Sequence, residues 1–190
     1  MRHKDEAKQE AIIKATVKLV NKIGFASSSV SKIAREAKVS PATIYIYYKN
    51  KEDLLVSTYL DIKQKLSAAI LEDFDDTQPI RDIMKDLWRK TLEYISRYPD
   101  NFLFTEQFSN SPYVSLIDNG EVDKYFEPLM KVVQRGIEQK IIKNVGFEIL
   151  AAFMLSPIIT LSYSCLSANL DLDEKNFETA FNMAWDAIKL

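Results

Sequence analysis

The spacing of apolar side chains divides the chain into a series of amphipathic helices. Between residues 7 and 23, apolar residues recur three and four positions apart, which is the spacing of one face of an α-helix. Gly24 follows as a helix stop, because glycine readily adopts the left-handed conformation that ends many helices. Further helices are expected near 51–74, 79–98, 99–110, 121–140, 146–168 and 172–189. No segment alternates as a strand does, so the pattern predicts an all-α fold.

Two short helices joined by a tight turn are predicted directly after the first helix. Ser29 ends a run of three serines and is expected to cap the second helix. Ser40 and Pro41 introduce the third helix, 41–48, because serine caps a helix and proline is tolerated at its first position. The residues expected to face inward are Ile33, Ala34, Ala37, Val39, Ile44 and Tyr48. This is a helix-turn-helix, whose second helix can enter the major groove of DNA.

Charge is distributed unevenly along the chain. Residues 1–51 contain 11 lysines and arginines against 4 aspartates and glutamates, whereas the rest of the chain contains 14 against 23. The net charge of −2 therefore combines a basic head with an acidic body. A basic segment that carries a helix-turn-helix is typical of a contact with DNA. We expect residues 1–51 to form a DNA-binding domain and residues 52–190 a helical body.

The residue types that most enzymes use are scarce. The only histidine is His3 and the only cysteine is Cys165, which lies in an apolar segment. The sequence has no glycine-rich phosphate loop and no metal-ligand spacing. We therefore predict no enzymatic activity, no catalytic residue, no bound metal and no cofactor. Cys165 is interpreted as a buried thiol of a cytoplasmic protein, since no secretory signal is visible at the N-terminus.

One ordered set of motifs spans the first 55 residues. It consists of Gly24-Phe25, Ser28-Ser29-Val30, Ile33-Ala34-Arg35-Glu36-Ala37, Val39-Ser40, Thr43-Ile44-Tyr45-Ile46-Tyr47-Tyr48 and Asn50-Lys51-Glu52-Asp53-Leu54-Leu55. In this order and spacing, the set resembles the DNA-binding domain of the tetracycline-repressor (TetR) family. The resemblance implies an N-terminal three-helix helix-turn-helix domain and a larger C-terminal helical domain for ligand binding and dimerisation. It also implies a sequence-specific transcriptional repressor.

The resemblance indicates which side chains contact DNA. Thr43 and Tyr47 occupy positions from which such repressors reach into the groove. Hydroxyl and lysine donors hold phosphates, whereas contacts to base edges specify sequence. The positions that commonly hold phosphates are those of Ser29, Tyr45, Lys49 and Lys51. The complete expected DNA-binding set is Ser29, Lys32, Pro41, Ala42, Thr43, Tyr45, Tyr47, Lys49 and Lys51.

Two positions depart from the residues that are usual in the family. Lys38 stands in the turn where glycine is usual. If the turn keeps a positive φ there, the lysine costs on the order of 1 kcal/mol and adds a charge near the phosphates. Tyr48 replaces a phenylalanine, and we interpret it as a core aromatic residue.

Aromatic side chains are frequent in the body of the chain. Walls of aromatic residues with a few polar groups are typical of small-molecule pockets, although an ordinary core has the same composition. We predict that a small apolar or aromatic effector is bound by Trp88, Phe104, Phe108 and Tyr163. Following the family, this effector is expected to release a homodimer from a palindromic operator.

The segment 149–170 contains no charged residue and has the length of a membrane-spanning helix. Ser156-Pro157 and several other polar residues interrupt it, and no polybasic flank follows. We therefore predict no membrane contact and assign this helix to a dimer face. The last helix is expected to complete that face with Phe177, Phe181, Trp185 and Ile188.

A second function stays open at this point. The chain has the features of a helical interaction protein whose basic head binds an acidic partner or a membrane surface. Such a protein would bind DNA without regard to sequence, because only phosphate attraction would act.

Overall fold

Helices make up nearly all of the regular structure. The computed structural model describes residues 5–118 and 120–190, and His3 lies outside them. The α-helices are α1 Glu6–Ser27, α2 Val30–Glu36, α3 Pro41–Tyr47, α4 Lys51–Ile70, α5 Ile80–Arg97, α6 Pro99–Ser109, α7 Glu127–Glu138, α8 Phe147–Met154, α9 Ser156–Leu166 and α10 Glu174–Ile188. Within the described ranges, the only extended pairing is an isolated antiparallel bridge between Ile142 and Lys189. The all-α prediction, with a helix-turn-helix head and a larger helical body, is confirmed.

Helix α1 is capped at its start and kinked near its end. The Asp5 carboxylate accepts hydrogen bonds from the N–H groups of Ala7 and Lys8. Gly24 has φ 75° and ψ 168°, outside the helical region, so the helix is interrupted at the predicted residue, but it continues past this kink to Ser27. A side chain at this position would be strained. Just past the kink, the ring of Phe25 lies 5.3–6.1 Å from those of Phe104, Phe108 and Tyr113.

The apolar segment predicted as one helix over 146–168 consists of two helices. Helix α8 ends at Met154, and α9 begins at Ser156 with Pro157 in its first turn. Proline has no N–H for a helical hydrogen bond, and its ring clashes with the carbonyl four residues earlier. Pro157 therefore interrupts the helix. The predicted helix over 121–140 likewise opens with a 3₁₀ turn, Asp123–Phe126, before α7.

Two compact units divide the chain. The first contains the residues up to Lys65 together with Tyr98–Val122. Its helix-turn-helix core is formed by Ile12, Ala15, Ile33, Ala34, Ile44, Tyr48 and Leu54. A second cluster of the same unit is formed by Val17, Val20, Leu55, Tyr59, Ile62, Phe104 and Phe108. Because α6 packs on α1 in this unit, the head includes sequence from far beyond residue 51, and the boundary at 51/52 stays a prediction.

The second unit contains Leu66–Arg97 and Asp123–Leu190. Trp88 is 1% exposed, donates from its indole Nε1 to the Met154 carbonyl at 2.8 Å, and meets the edges of two rings of α10. The residues of α10 that were expected on a dimer face are 0–6% exposed within this unit: Phe177, Phe181, Trp185 and Ile188. That expectation is wrong, because these side chains fill the core against α5 and α8.

Candidate DNA-binding site

Serine caps fix both helices of the helix-turn-helix. The Ser29 hydroxyl accepts a hydrogen bond from the Lys32 N–H at 3.3 Å at the start of α2. The Ser40 hydroxyl accepts one from the Thr43 N–H at 3.1 Å at the start of α3, and it lies 2.9 Å from the Thr43 hydroxyl. Caps of this type contribute roughly 1 kcal/mol each. The short helices are thus defined by local chemistry as well as by packing.

The turn between α2 and α3 has the left-handed conformation expected from the family pattern. Lys38 has φ 55°, which side chains other than glycine adopt only at a cost. The Lys38 N–H donates to the Arg35 carbonyl at 3.2 Å, and the Val39 N–H donates to the Ala34 carbonyl at 2.9 Å. These two bonds close the turn and hold the lysine in its strained conformation, with its side chain exposed.

We expect Lys38→Gly to stabilise the protein by up to about 1 kcal/mol. Removal of the left-handed strain contributes about 1–2 kcal/mol, and the greater freedom of glycine in the unfolded chain offsets part of it. Urea unfolding followed by circular dichroism measures the change. The matched control is Lys22→Gly at an exposed helical position of α1, which should destabilise by about 1 kcal/mol. Equal destabilisation by both variants would contradict a strained turn.

The inner face of the motif is closely packed. Ile33, Ala34 and Ile44 are 0–1% exposed and Tyr48 is 4% exposed, so the interpretation of Tyr48 as a core residue is confirmed. Burial raises the pKa of the Tyr48 hydroxyl to about 12, and the nearby carboxylates of Asp61 and Asp53 add to the shift. The phenol therefore stays neutral over the whole physiological range.

The outer face of α3 is free of protein contacts over much of its area. Tyr45 is 56% exposed and Ile46 is 46% exposed. Pro41 and Ala42 are also exposed, and Thr43 is half-buried beside the Ser40 cap. The helix thus presents small, hydroxyl and aromatic side chains outward, which are suited to base edges and phosphates. DNA contact by these residues stays a prediction.

Tyr47 has a structural contact that sequence reasoning missed. Its hydroxyl accepts a hydrogen bond from the Asp5 N–H at 2.9 Å and donates to the Asp5 carbonyl at 3.2 Å. The end of α3 is thereby fastened to the residue that caps α1. Because 42 positions separate the partners, no local pattern reveals the pair. The predicted groove residue therefore also anchors the start of α1.

Two of the lysines predicted to bind DNA are hydrogen-bonded to the kinked end of α1. The Lys32 ammonium donates to the Ser27 carbonyl at 3.0 Å, and the Lys51 ammonium donates to the Phe25 carbonyl at 2.6 Å. An ammonium has three donors, so each keeps donors for a phosphate. Lys49 is exposed, and its backbone N–H donates to the Asp53 carboxylate at 2.7 Å. The first two bonds hold the ammonium groups of Lys32 and Lys51 in place without DNA.

The four aromatic residues predicted to bind an effector are not brought together in one unit. Phe104 and Phe108 are 0% exposed in the first unit, where Phe108 stacks on Tyr59 with centroids 4.4 Å apart. Trp88 is buried in the second unit, and Tyr163 on α9 of that unit is 40% exposed. Three of the four fill cores, and their contact with a ligand stays a prediction.

Comparison with known proteins agrees with this architecture. A model of the tetR family of bacterial regulatory proteins matches residues 12–58. A model of a tetracyclin repressor-like C-terminal domain matches residues 79–189, which is more than half of the chain. The chain belongs to the TetR family of transcriptional regulators. It is therefore a DNA-binding regulator and not an enzyme.

Two relatives of this TetR-family regulator are similar over nearly their whole length, and a third is similar over a shorter segment. A TetR family transcription regulator of Marinobacter aquaeolei VT8 is 33% identical, with a TM-score of 0.89 over 100% of this chain and 99% of that one. An uncharacterized HTH-type transcriptional regulator of Haemophilus influenzae is 24% identical over 95% of both chains. A fatty acid metabolism regulator protein of Bacillus subtilis is 46% identical over 31% of this chain and 29% of its own.

Proposed function

We propose that this TetR-family regulator is a repressor that binds a palindromic operator as a homodimer and leaves it when a small effector binds. The observation that carries the DNA-binding part is the capped, outward-facing α3, with exposed Ala42 and Tyr45 and basic residues concentrated in the head. Two such helices related by a dimer axis would read half-sites about 34–36 Å apart, or a multiple of that spacing.

A dimer face is proposed on helices α8 and α9. Phe147, Ile149, Phe153, Leu155 and Leu166 are 42–55% exposed there. A contiguous apolar patch of this kind on a soluble protein is typical of a protein–protein interface. A second copy of the chain is the occupant that the family favours.

The same segment passes a simple test for a membrane span. Phe147–Leu166 has a mean hydropathy of 1.9 and only 22% of it is buried. Pro157 interrupts the segment, and the matching family models are those of transcriptional regulators. Both observations support a cytoplasmic protein in which this face is covered by a partner subunit.

The test of the DNA-binding proposal is a fluorescence anisotropy titration with a duplex from the protein's own promoter and a scrambled duplex. We expect a saturable preference for the promoter sequence at moderate salt. Tyr47→Ala should weaken operator binding by about 10- to 100-fold, as expected for a residue at a base edge, and should leave binding to the scrambled duplex unchanged.

Tyr47→Phe tests whether operator recognition needs the hydroxyl of this tyrosine or only its ring. The variant keeps the ring but loses both hydrogen bonds to Asp5. Wild-type affinity would show that recognition needs the ring and not the hydroxyl, whereas a loss equal to that of Tyr47→Ala would show that it needs the hydroxyl, through the Asp5 anchor or through DNA. Equal and steeply salt-dependent binding of both duplexes would overturn sequence-specific regulation. It would favour a basic head that binds an acidic partner or a membrane surface.

A further inference from the structure

A groove on the second unit opens between α5, α9 and the start of α10. It has a volume of about 340 Å³, at the small end of the range for ligand sites. Its apolar wall is formed by Leu92, Ile95, Cys165, Leu166, Leu172 and Phe177. Its polar side chains are Arg89, Glu93, Ser96, Ser162 and Glu174. None of the four aromatic residues predicted from the sequence to bind an effector lines it.

Among the described residues that line the groove, the one positively charged side chain, Arg89, is already paired with a carboxylate. The Arg89 guanidinium donates to both carboxylate oxygens of Glu174 at 2.9 and 2.7 Å, and it lies 4.3 Å from the centroid of the Phe177 ring. This pairing raises the pKa of Arg89 and lowers that of Glu174. Glu174 uses two of the five guanidinium N–H donors and neutralises most of its charge, so an anionic ligand would gain little from Arg89.

Glu93 leaves the groove with an excess of negative charge. Its side chain is exposed, and among the described residues it lies in no ion pair. The neighbouring lysines are engaged elsewhere, since Lys85 pairs with Glu178 and Lys90 pairs with Asp86. One guanidinium and two carboxylates therefore line the groove, and because Arg89 interacts with both carboxylates, the lining carries one more negative charge than positive.

Ser162 adds an unsatisfied polar group to the same wall. The residue is 2% exposed, and its hydroxyl has no hydrogen-bond partner among the described residues. Buried hydroxyls are nearly always hydrogen-bonded, so one without a partner requires an explanation. The oxygen itself is buried, however, so this hydroxyl is not open to a ligand in the groove.

We propose that this groove binds a small monocationic amine with an apolar body. The ammonium pairs with the Glu93 carboxylate, and the apolar body lies against Leu92 and Phe177. A carboxylate of the same size is disfavoured, because it would meet two carboxylates and a guanidinium that is already paired. The specificity of the groove is thus set by charge as well as by shape.

The groove lies beside the start of α10, and this position gives a bound ligand a route to regulation. Leu172 lies two residues before α10 and Glu174 is its first residue, so a ligand beside Arg89 and Glu93 acts on the ion pair that holds the start of this helix. That the amine is the effector rests on the function proposed above. Its binding to the groove does not.

Three probes that share a phenyl ring and a short side chain test the charge preference. They are 2-phenylethylamine, phenylacetate and 2-phenylethanol, titrated into the full-length protein at low salt by calorimetry or ligand-observed NMR. We expect the amine to bind at least about tenfold more tightly than the carboxylate, with the alcohol between them. Equal affinity for amine and carboxylate would overturn the proposal.

Two variants assign the binding to the groove. Glu93→Gln should weaken the amine about tenfold and leave the alcohol unchanged. Asp82→Asn, at an exposed acid of α5 outside the groove, should change neither. Equal effects of Glu93→Gln and Asp82→Asn would contradict the assignment.

Binding and regulation are measured separately. The titrations use protein without DNA, and the amine is then added to the complex with the promoter duplex. If the amine binds but does not release the DNA, the binding site in the groove is supported and the effector role is overturned. Specific DNA binding by a protein that does not bind the amine would overturn the groove and leave the DNA-binding proposal intact.

Discussion

Replacing Ala42 by glutamate should reduce operator binding more than about 100-fold while leaving the fold intact. Ala42 is exposed on the outer face of α3, so a carboxylate there would face the phosphates of the groove. Like charges placed together in an interface cost several kcal/mol. Ala42 is also the second residue of α3, where a carboxylate favours the positive end of the helix dipole. DNA affinity should therefore fall while the free energy of unfolding stays equal or rises slightly.

Anisotropy with the promoter duplex and urea unfolding measure the two effects of Ala42→Glu. Ala42→Gln has the same size without the charge and should weaken binding by a smaller factor. Ala68→Glu places the same carboxylate at an exposed position of α4 outside the motif and should leave DNA binding unchanged. If Ala42→Glu bound the operator as tightly as Ala68→Glu does, α3 could not be the helix that enters the groove.

Local chemistry made the DNA-binding head predictable from the sequence. Ser29 and Ser40 cap the helices that follow them, and Gly24 and Lys38 adopt the positive φ expected of each. Each of these features depends on neighbours within a few positions of the chain. For that reason, sequence alone could locate them and the face of α3 that points outward.

The body was harder to predict, because its contacts depend on which helices meet. The spacing of Phe177, Phe181 and Trp185 correctly indicates one apolar face of α10, yet it carries no information on what covers that face. The structure places α5 there, about ninety positions earlier. The exposed apolar face belongs to α8 and α9 instead.

The binding groove and the Tyr47 anchor escaped the sequence for the same reason. Arg89 and Glu174 are 85 positions apart, and Tyr47 and Asp5 are 42 apart. An exposed arginine and an exposed glutamate have no distinguishing local pattern, so only the packing of α5 against α10 makes them partners. A site built in this way can change its ligand while the DNA-binding head keeps its sequence signature.

The packing of α10 predicts the largest loss of stability for Phe181→Ala, about 3–5 kcal/mol. Phe181 is 0% exposed, its ring meets Trp88 edge-on at 5.6 Å and stacks on Trp185 at 6.4 Å, and the Arg81 guanidinium lies 5.3 Å from its centroid. Truncation would remove the buried ring and leave a cavity among side chains that cannot all collapse into it.

Urea unfolding at one fixed protein concentration measures this loss, since the proposed dimer would make the stability depend on concentration. Thr179→Ala is the matched control: it lies on the same helix, is exposed, and its hydroxyl donates only to the Lys175 carbonyl. It should change stability by no more than about 0.5 kcal/mol. A loss for Phe181→Ala as small as that of the control, together with a weakened dimer, would contradict the core placement. It would return this ring to the dimer face that the sequence pattern first indicated.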